Sequence, residues 1–243
     1  MSGLPLSNAH RTNAQTEATS AHPPPSSPDP TVQQPEHAAQ GGLTAASAAS
    51  TSEQSHSLNE LSTLKTQLKS ALRQFPDFPS PGILFEDILP IFADAKLHDA
   101  LLRALELHVA NAYEKPDVVV GLEARGFLFG PSLALRLGCG FAPVRKQGKL
   151  PGECETAGYQ KEYGEDFFQI QKDAVKTGQK VLIVDDIIAT GGSAAAAGAL
   201  VKKLGAKVVG YSFLLELDFL KGRAKLDAPV YTLLSSQEEK REG

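Results

Sequence analysis

Residues 181–192 read VLIVDDIIATGG: an aliphatic run from Val181 to Val184, the adjacent acids Asp185 and Asp186, two further apolar residues and an Ala-Thr-Gly-Gly turn. An apolar run that does not alternate with polar residues is the pattern of a strand buried on both faces, as in parallel sheets. The segment that follows, GGSAAAAGALVKKLGA, reads as a helix, so the stretch is a strand, a turn and a helix in succession. In the turn Ala189, Thr190, Gly191, Gly192 and Ser193, the glycines let the backbone approach a ligand closely. The free N–H groups and dipole of the helix start favour an anion, and Thr190 and Ser193 add hydroxyl donors. A single phosphate monoester fits such a turn. Two carboxylates just before it would repel that phosphate unless a group lies between them. A ribose is such a group, because its hydroxyls donate to carboxylates while its phosphate reaches the turn.

Outward from this stretch the pattern repeats. After Pro116 come DVVVGLE, GFLFGPSLALRLG, GFAPVRK, KVLIVDD, the Ala-rich helix, KVVGYSFLLEL and PVYTLL, short apolar runs alternating with helical segments. This predicts an α/β fold with a parallel sheet flanked by helices. Between Gly148 and Gly164 the chain is polar and rich in glycine, and EDFFQIQ after it can pair as a further strand, which predicts a hairpin or flap over the main sheet. Ligands of open parallel sheets collect at the carboxyl ends of the strands, here GLEARG and DDIIATGG. Neither is a nucleotide P-loop, since Gly126 is followed by Phe127 and Gly192 by Ser193, and no GxGxxG opens a helix.

Before the sheet, SLNELSTLKTQLKSALRQF places Leu58, Leu61, Leu64, Leu68 and Leu72 at helical spacing, with Ser57 as its cap and an end before Pro76. A second amphipathic helix is predicted from Lys96 to about Tyr113, capped by Asp94, with Leu97, Leu101, Leu105 and Val109 on one face. Residues 1–56, dominated by Ala, Ser, Thr, Gln and Pro, cannot bury enough apolar surface to offset ordering and are expected to be a disordered tail, leaving residues 57–243 as the domain.

The 243 residues carry a net charge of −4, which predicts no strong attraction to nucleic acid or anionic lipid, and 42% are apolar, enough for one core. Cys139 and Cys154 lack CxxC spacing and predict a reducing compartment. No apolar run reaches the roughly 18 residues needed to span a bilayer. With Arg11 set against Glu17, Asp29 and Glu36, the tail does not resemble a transit peptide, so a cytoplasmic location is expected. His10, His22, His37 and His56 lie in the tail and none follows His108, which removes Ser-His-Asp catalysis and histidine metal sites from the sheet ends.

VLIVDDIIATGGS resembles the PRPP (phosphoribosyl diphosphate) motif of the type I phosphoribosyltransferases. Together with FPDFPSPGILFEDILPIF, GLEARGFLFGPSLALRLG, VRKQGKLPGE and GYQKEYG, it is similar to the adenine phosphoribosyltransferase family over roughly residues 75–234. The resemblance implies a sheet domain with a small hood and a flexible loop. It implies transfer of a phosphoribosyl group from PRPP to adenine, giving AMP and pyrophosphate, with Mg2+ carried by the diphosphate and its waters, in a homodimer. Asp185 and Asp186 would hold the ribose hydroxyls, and Ala189 through Ser193 the 5′-phosphate. Arg125, Lys146 and Lys149 would face pyrophosphate, aided by backbone groups of Glu123 and Ala124 around a non-proline cis peptide. Leu84, Phe85 and Glu86 would read adenine, largely through backbone. Glu162, followed by Tyr163, matches the acid of the mobile loop, where it would handle the proton of adenine or stabilise an oxocarbenium-like sugar. Some relatives carry Arg where this chain has Glu86. Two alternatives stand beside this reading: a transferase for another base, and a PRPP-binding regulator on the same fold.

Overall fold

The computed structural model describes residues 42–78, 81, 84–161 and 164–234. The chain divides into two compact units, residues 1–44 and 45–243. Of the first, the described part is the beginning of helix α1; the second carries the sheets. In chain order the elements are α1 (Gly42–Ser70), β1 (Arg73–Pro76), β2 (Leu84–Asp87), α2 (Leu89–Ala93), α3 (Ala95–Ala112), β3 (Val118–Leu122), α4 (Gly130–Leu137), β4 (Gly140–Lys146), β5 (Cys154–Lys161), β6 (Gly164–Gln171), β7 (Lys180–Ile188), α5 (Gly192–Lys203), β8 (Lys207–Glu216) and β9 (Val230–Thr232). Among the described residues, the strands form a seven-stranded sheet in the order β5-β6-β4-β3-β7-β8-β9 and a separate two-stranded sheet, β1-β2. No described helix is long and apolar enough to cross a membrane.

The five strands from β4 to β9 run parallel. Their side chains sort by parity onto two cores, as the period of two requires. Val118, Val120, Leu122, Val181 and Ile183 face α5 and the β5-β6 hairpin. Val119, Leu182 and Val184 face the layer formed by α1, α3 and α4. Asp94 caps α3 as expected, accepting from the N–H groups of Lys96 and Leu97, and Leu101, Leu105 and Val109 are buried. Gly138 closes α4 in the left-handed region at φ 65°, where a side chain would be strained.

Three expectations are corrected. Helix α1 begins at Gly42, so residues 42–56 are helical and Ser57 lies inside the helix instead of capping it. The alanines that mark this stretch as low in complexity are also the strongest helix formers. The rest of the supposed tail, residues 1–41, lies outside the described residues. On α1, Leu68 is fully buried but Leu58 is 63% exposed, and Leu72 falls beyond the helix end. Finally, the hairpin expected after Gly148 forms, with EDFFQIQ in its second strand, but it does not lie over the sheet. Residues 154–161 form a strand that pairs antiparallel with β6, and β6 pairs antiparallel with the end of β4 through Arg145↔Gln169 and Lys146↔Phe168. The hairpin therefore continues the sheet edge, with Ala157, Phe168 and Ile170 in the core. Inward residues separated by polar outward ones are the pattern of an antiparallel edge, and they read as a loop when judged on polarity alone.

Candidate active site

From β3 the chain passes through α4 outward to β4, and from β7 through α5 outward to β8, so the connections diverge in opposite directions. The gap this leaves at the carboxyl ends of β3 and β7 is where open α/β sheets bind ligands. Both sequence motifs end there.

At the end of β3, the peptide between Glu123 and Ala124 is cis, as the resemblance implied, and a 3-10 turn from Arg125 to Leu128 follows. A Cβ on Gly126 would press against the Val184 carbonyl at 2.7 Å, so the turn packs on the backbone of β7 only because glycine stands there. This close approach delivers the Arg125 side chain to β7, where its Nε donates to Asp186 Oδ2. Asp186 is 6% exposed, while half of the Arg125 side chain remains accessible. Asp185 is partly buried, and its carboxylate Oδ1 accepts from the Asp186 N–H at 3.0 Å. Burial, and then the neighbouring Asp186 charge, push the Asp185 carboxyl well above the usual carboxylate range, with Arg125 opposing the shift.

Helix α5 starts from Gly191 in the left-handed region, φ 75°, and no side chain caps it. The N–H groups of its first turn are thus left without a side-chain acceptor, the arrangement an anion can use. Thr190 is exposed and Ser193 half-buried.

The Glu123 side chain points to β4. Its carboxylate accepts from Arg145 Nε and Nη2, both at 3.2 Å, and from the Lys146 N–H at 2.9 Å. The bonds from Arg145 hold the Glu123 carboxyl below its ordinary pKa. Arg145 also donates through Nη1 to the Lys149 carbonyl at 3.1 Å, and the Lys149 N–H donates to the Lys146 carbonyl at 3.2 Å. Glu123, Arg145, Lys146 and Lys149 are thus one connected unit, with the Lys146 and Lys149 side chains exposed.

On the hairpin, the Tyr159 hydroxyl donates to Asp166 Oδ2 at 3.2 Å, and Lys146 Nζ lies 3.8 Å from the same oxygen. Burial first, then the Asp166 charge, push the Tyr159 hydroxyl up to about 12. Arg145, Tyr159 and Asp166 were not singled out from the sequence. Arg145 lay inside a quoted motif, but nothing local distinguishes Asp166 from other acids of the hairpin.

Leu84, Phe85 and Glu86 form β2 of the two-stranded sheet, held by pairing with Gln74 and Phe75 on β1. Leu84 is 40% exposed, Phe85 meets Phe78 edge-on with centroids 5.1 Å apart, and Glu86 accepts from Gln74 Nε2 at 3.3 Å. Arg73 pairs with Asp87, whose other oxygen accepts from the Leu89 N–H and so joins this sheet to α2. Glu162 and Tyr163 lie outside the described residues.

Residues 92–242 match the family model of the phosphoribosyl transferase domain. The chain is 62% identical over 181 residues to an adenine phosphoribosyltransferase of Debaryomyces hansenii, covering 74% of this chain and 96% of the relative. It is 61% identical over 181 residues to adenine phosphoribosyltransferase 1 of Saccharomyces cerevisiae, covering 74% and 97%. A crystal structure of the adenine phosphoribosyltransferase from Saccharomyces cerevisiae, complexed with an imino-altritol bisphosphate and adenine, superposes with a TM-score of 0.69 at 62% identity, covering 71% of this chain and 99% of that one.

Proposed function

The chain belongs to the phosphoribosyl transferase domain family, among relatives that are adenine phosphoribosyltransferases, and we propose that it transfers the phosphoribosyl group of PRPP to N9 of adenine, releasing AMP and pyrophosphate in purine salvage. The observation that carries the reading is the juxtaposition, at one sheet end, of an uncapped helix start, two adjacent carboxylates and an arginine. Each suits a different part of one ligand.

In this reading the N–H groups and hydroxyls of Ala189 through Ser193 hold the 5′-phosphate, and Asp185 and Asp186 accept from the ribose hydroxyls. Arg125 then gives up part of its bond to Asp186 and turns its exposed face to the diphosphate. Lys146 at the end of β4 and Lys149 in the turn beyond it meet the same group, and backbone groups of Glu123 and Ala124 complete the cradle. As the bond to C1′ breaks, negative charge grows on the leaving diphosphate, and these cations stabilise the transition state more than the ground state. Leu84, Phe85 and Glu86 take adenine. Glu162 and Tyr163 act at the base and the sugar, as the resemblance implies. A mobile loop of the kind the resemblance implies would exclude the water that otherwise hydrolyses the activated sugar.

Among the described residues no group of three or more His, Cys, Asp or Glu suits a metal ion. The pair Asp185 and Asp186 fits Mg2+ that arrives on the diphosphate with most of its waters, and the ion would neutralise charge on the leaving group. A homodimer belongs to the same reading, as the resemblance implies. So does a cytoplasmic location.

The test is AMP formation from adenine and PRPP with magnesium, followed by chromatography with guanine, hypoxanthine and uracil in parallel. Adenine-selective turnover is expected. Binding of PRPP without turnover of any base would replace the enzyme by a PRPP-binding regulator.

A further inference from the structure

Behind the turn that takes the 5′-phosphate lies a loop to which no role has been given. Strand β8 ends at Glu216, whose side chain is 5% exposed. Its carboxylate accepts a two-pronged bond from Arg223, Nε to Oε1 at 2.7 Å and Nη2 to Oε2, and a further bond from the Thr232 hydroxyl at 3.3 Å. The Arg223 bonds hold the Glu216 carboxyl below its ordinary pKa. Arg223 thereby clips shut the intervening loop, whose last residue before it is Gly222. The loop is also tied to β7, since the Leu217 N–H donates to the Ile188 carbonyl at 2.9 Å.

Gly222 is buried, and its backbone lies directly against the phosphate turn. A Cβ on Gly191 would overlap the Gly222 carbonyl oxygen. A Cβ on Gly222 would in turn overlap the Ala189 carbonyl oxygen and lie 2.8 Å from the Gly191 nitrogen. Two glycine backbones thus meet with no side chain between them. Helix α5 brings no capping side chain of its own to hold that turn. A turn whose N–H groups must aim at a phosphate without reorganising needs a fixed support.

We propose that Arg223 and Glu216 are positioning residues for the 5′-phosphate turn, acting through Gly222. This rests on the phosphoribosyl-transfer reading above. Neither charged group touches the substrate; the clip sets where Gly222 stands, and Gly222 sets where Ala189 to Gly191 stand. A contact made equally to substrate and transition state changes KM and leaves kcat. The signature is therefore weaker binding of phosphate-bearing ligands with unchanged binding of the bare base.

The experiment uses the full chain and the variants Gly222→Ala, Arg223→Gln and Arg223→Lys. For each, the KM values for PRPP and adenine, kcat, AMP affinity by calorimetry and the melting temperature are measured. Gly222→Ala and Arg223→Gln are expected to raise the PRPP KM by about tenfold or more and weaken AMP in step, with adenine KM and kcat within about twofold. Arg223→Lys keeps the charge but loses the two-pronged bond and falls between. It decides the question should Arg223→Gln fail to fold. PRPP KM and AMP affinity unchanged in folded variants, or all constants falling together with the melting temperature, would overturn the proposal. If the unaltered chain binds AMP but turns over no adenine, the proposed reaction fails, while the AMP affinities still decide the role of the clip.

Discussion

Arg125, in the turn after β3, donates to Asp186 near the end of β7, so the leading candidate for the pyrophosphate cation is paired to a candidate for the ribose hydroxyls. The two are 61 residues apart in sequence and meet because β3 and β7 are neighbours in the sheet. Their bond orients the arginine toward the sheet end and offsets part of the repulsion between Asp185 and Asp186. Under the proposed reaction, substrate binding would exchange this ion pair for two sets of ligand contacts.

Replacing Arg125 by Ala should lower kcat by roughly 10²- to 10³-fold, the usual loss when one transition-state donor is removed. Arg125→Lys should recover part of it. Steady-state kinetics with adenine and PRPP decides the matter: turnover within twofold of the unaltered protein would remove Arg125 from the catalytic groups.

Asp185 carries the cost of burial beside a like charge. Asp185→Asn should therefore raise the melting temperature while reducing kcat/KM for PRPP on the order of a hundredfold, the trade expected where a site is built at the expense of stability. The double variant Asp185→Asn with Asp186→Asn should lose PRPP use severely. A variant that is both more stable and normally active would show that these acids do not hold the ribose.

Glu123 organises the cationic strand end, since Arg145 and the Lys146 N–H both donate to it and Arg145 goes on to the Lys149 carbonyl. Glu123→Ala leaves those donors without their acceptor and should destabilise the fold by about 1–3 kcal/mol. It should also raise the KM for pyrophosphate in the reverse reaction, with adenine KM unaffected. Denaturant melts and reverse-reaction kinetics test the two halves separately.

A pH effect is expected far from the site. His108 on α3 stacks on Tyr231 with centroids 3.3 Å apart, meets Tyr113 edge-on, and has a buried Nε2 with no hydrogen-bond partner among the described residues. Burial, aided by the Lys65 charge, lowers its pKa to about 4. An unfolded chain takes up this proton near pH 6.5 and the folded chain does not, so stability should fall as pH drops from about 6.5 to about 4. His108→Phe keeps the stacking and removes the proton site, and should flatten that part of the profile. Parallel pH slopes for the two proteins in urea melts would refute the assignment.

Much of the architecture was legible in local pattern. The Val118–Leu122 and Val181–Val184 runs, Asp94 as a cap and the glycine turn before α5 each depend on residues within a turn or two of one another, and short-range sterics and hydrogen bonding act over that range. The carboxylate pair and the phosphate turn were readable together for the same reason, lying within one strand-turn-helix unit. Where pattern misled, composition had two meanings. The Ala-rich stretch from Gly42 was low in complexity and also helical, and the polar alternation of residues 154–161 was an edge strand and not a flap.

By itself the sequence determined the α/β class, the succession of parallel strands and helices after Pro116 and the residue types gathered at two strand ends, because backbone propensity and side-chain periodicity are written into neighbouring residues. Only the tertiary structure decided that Arg125 meets Asp186, that Glu123 turns away to hold Arg145, and that Gly222 stands behind Gly191 under the clip of Arg223 and Glu216. Those relations depend on which strands become neighbours and on which face each side chain emerges. Strand order and register are set by burial over the whole sheet, and no local period encodes them.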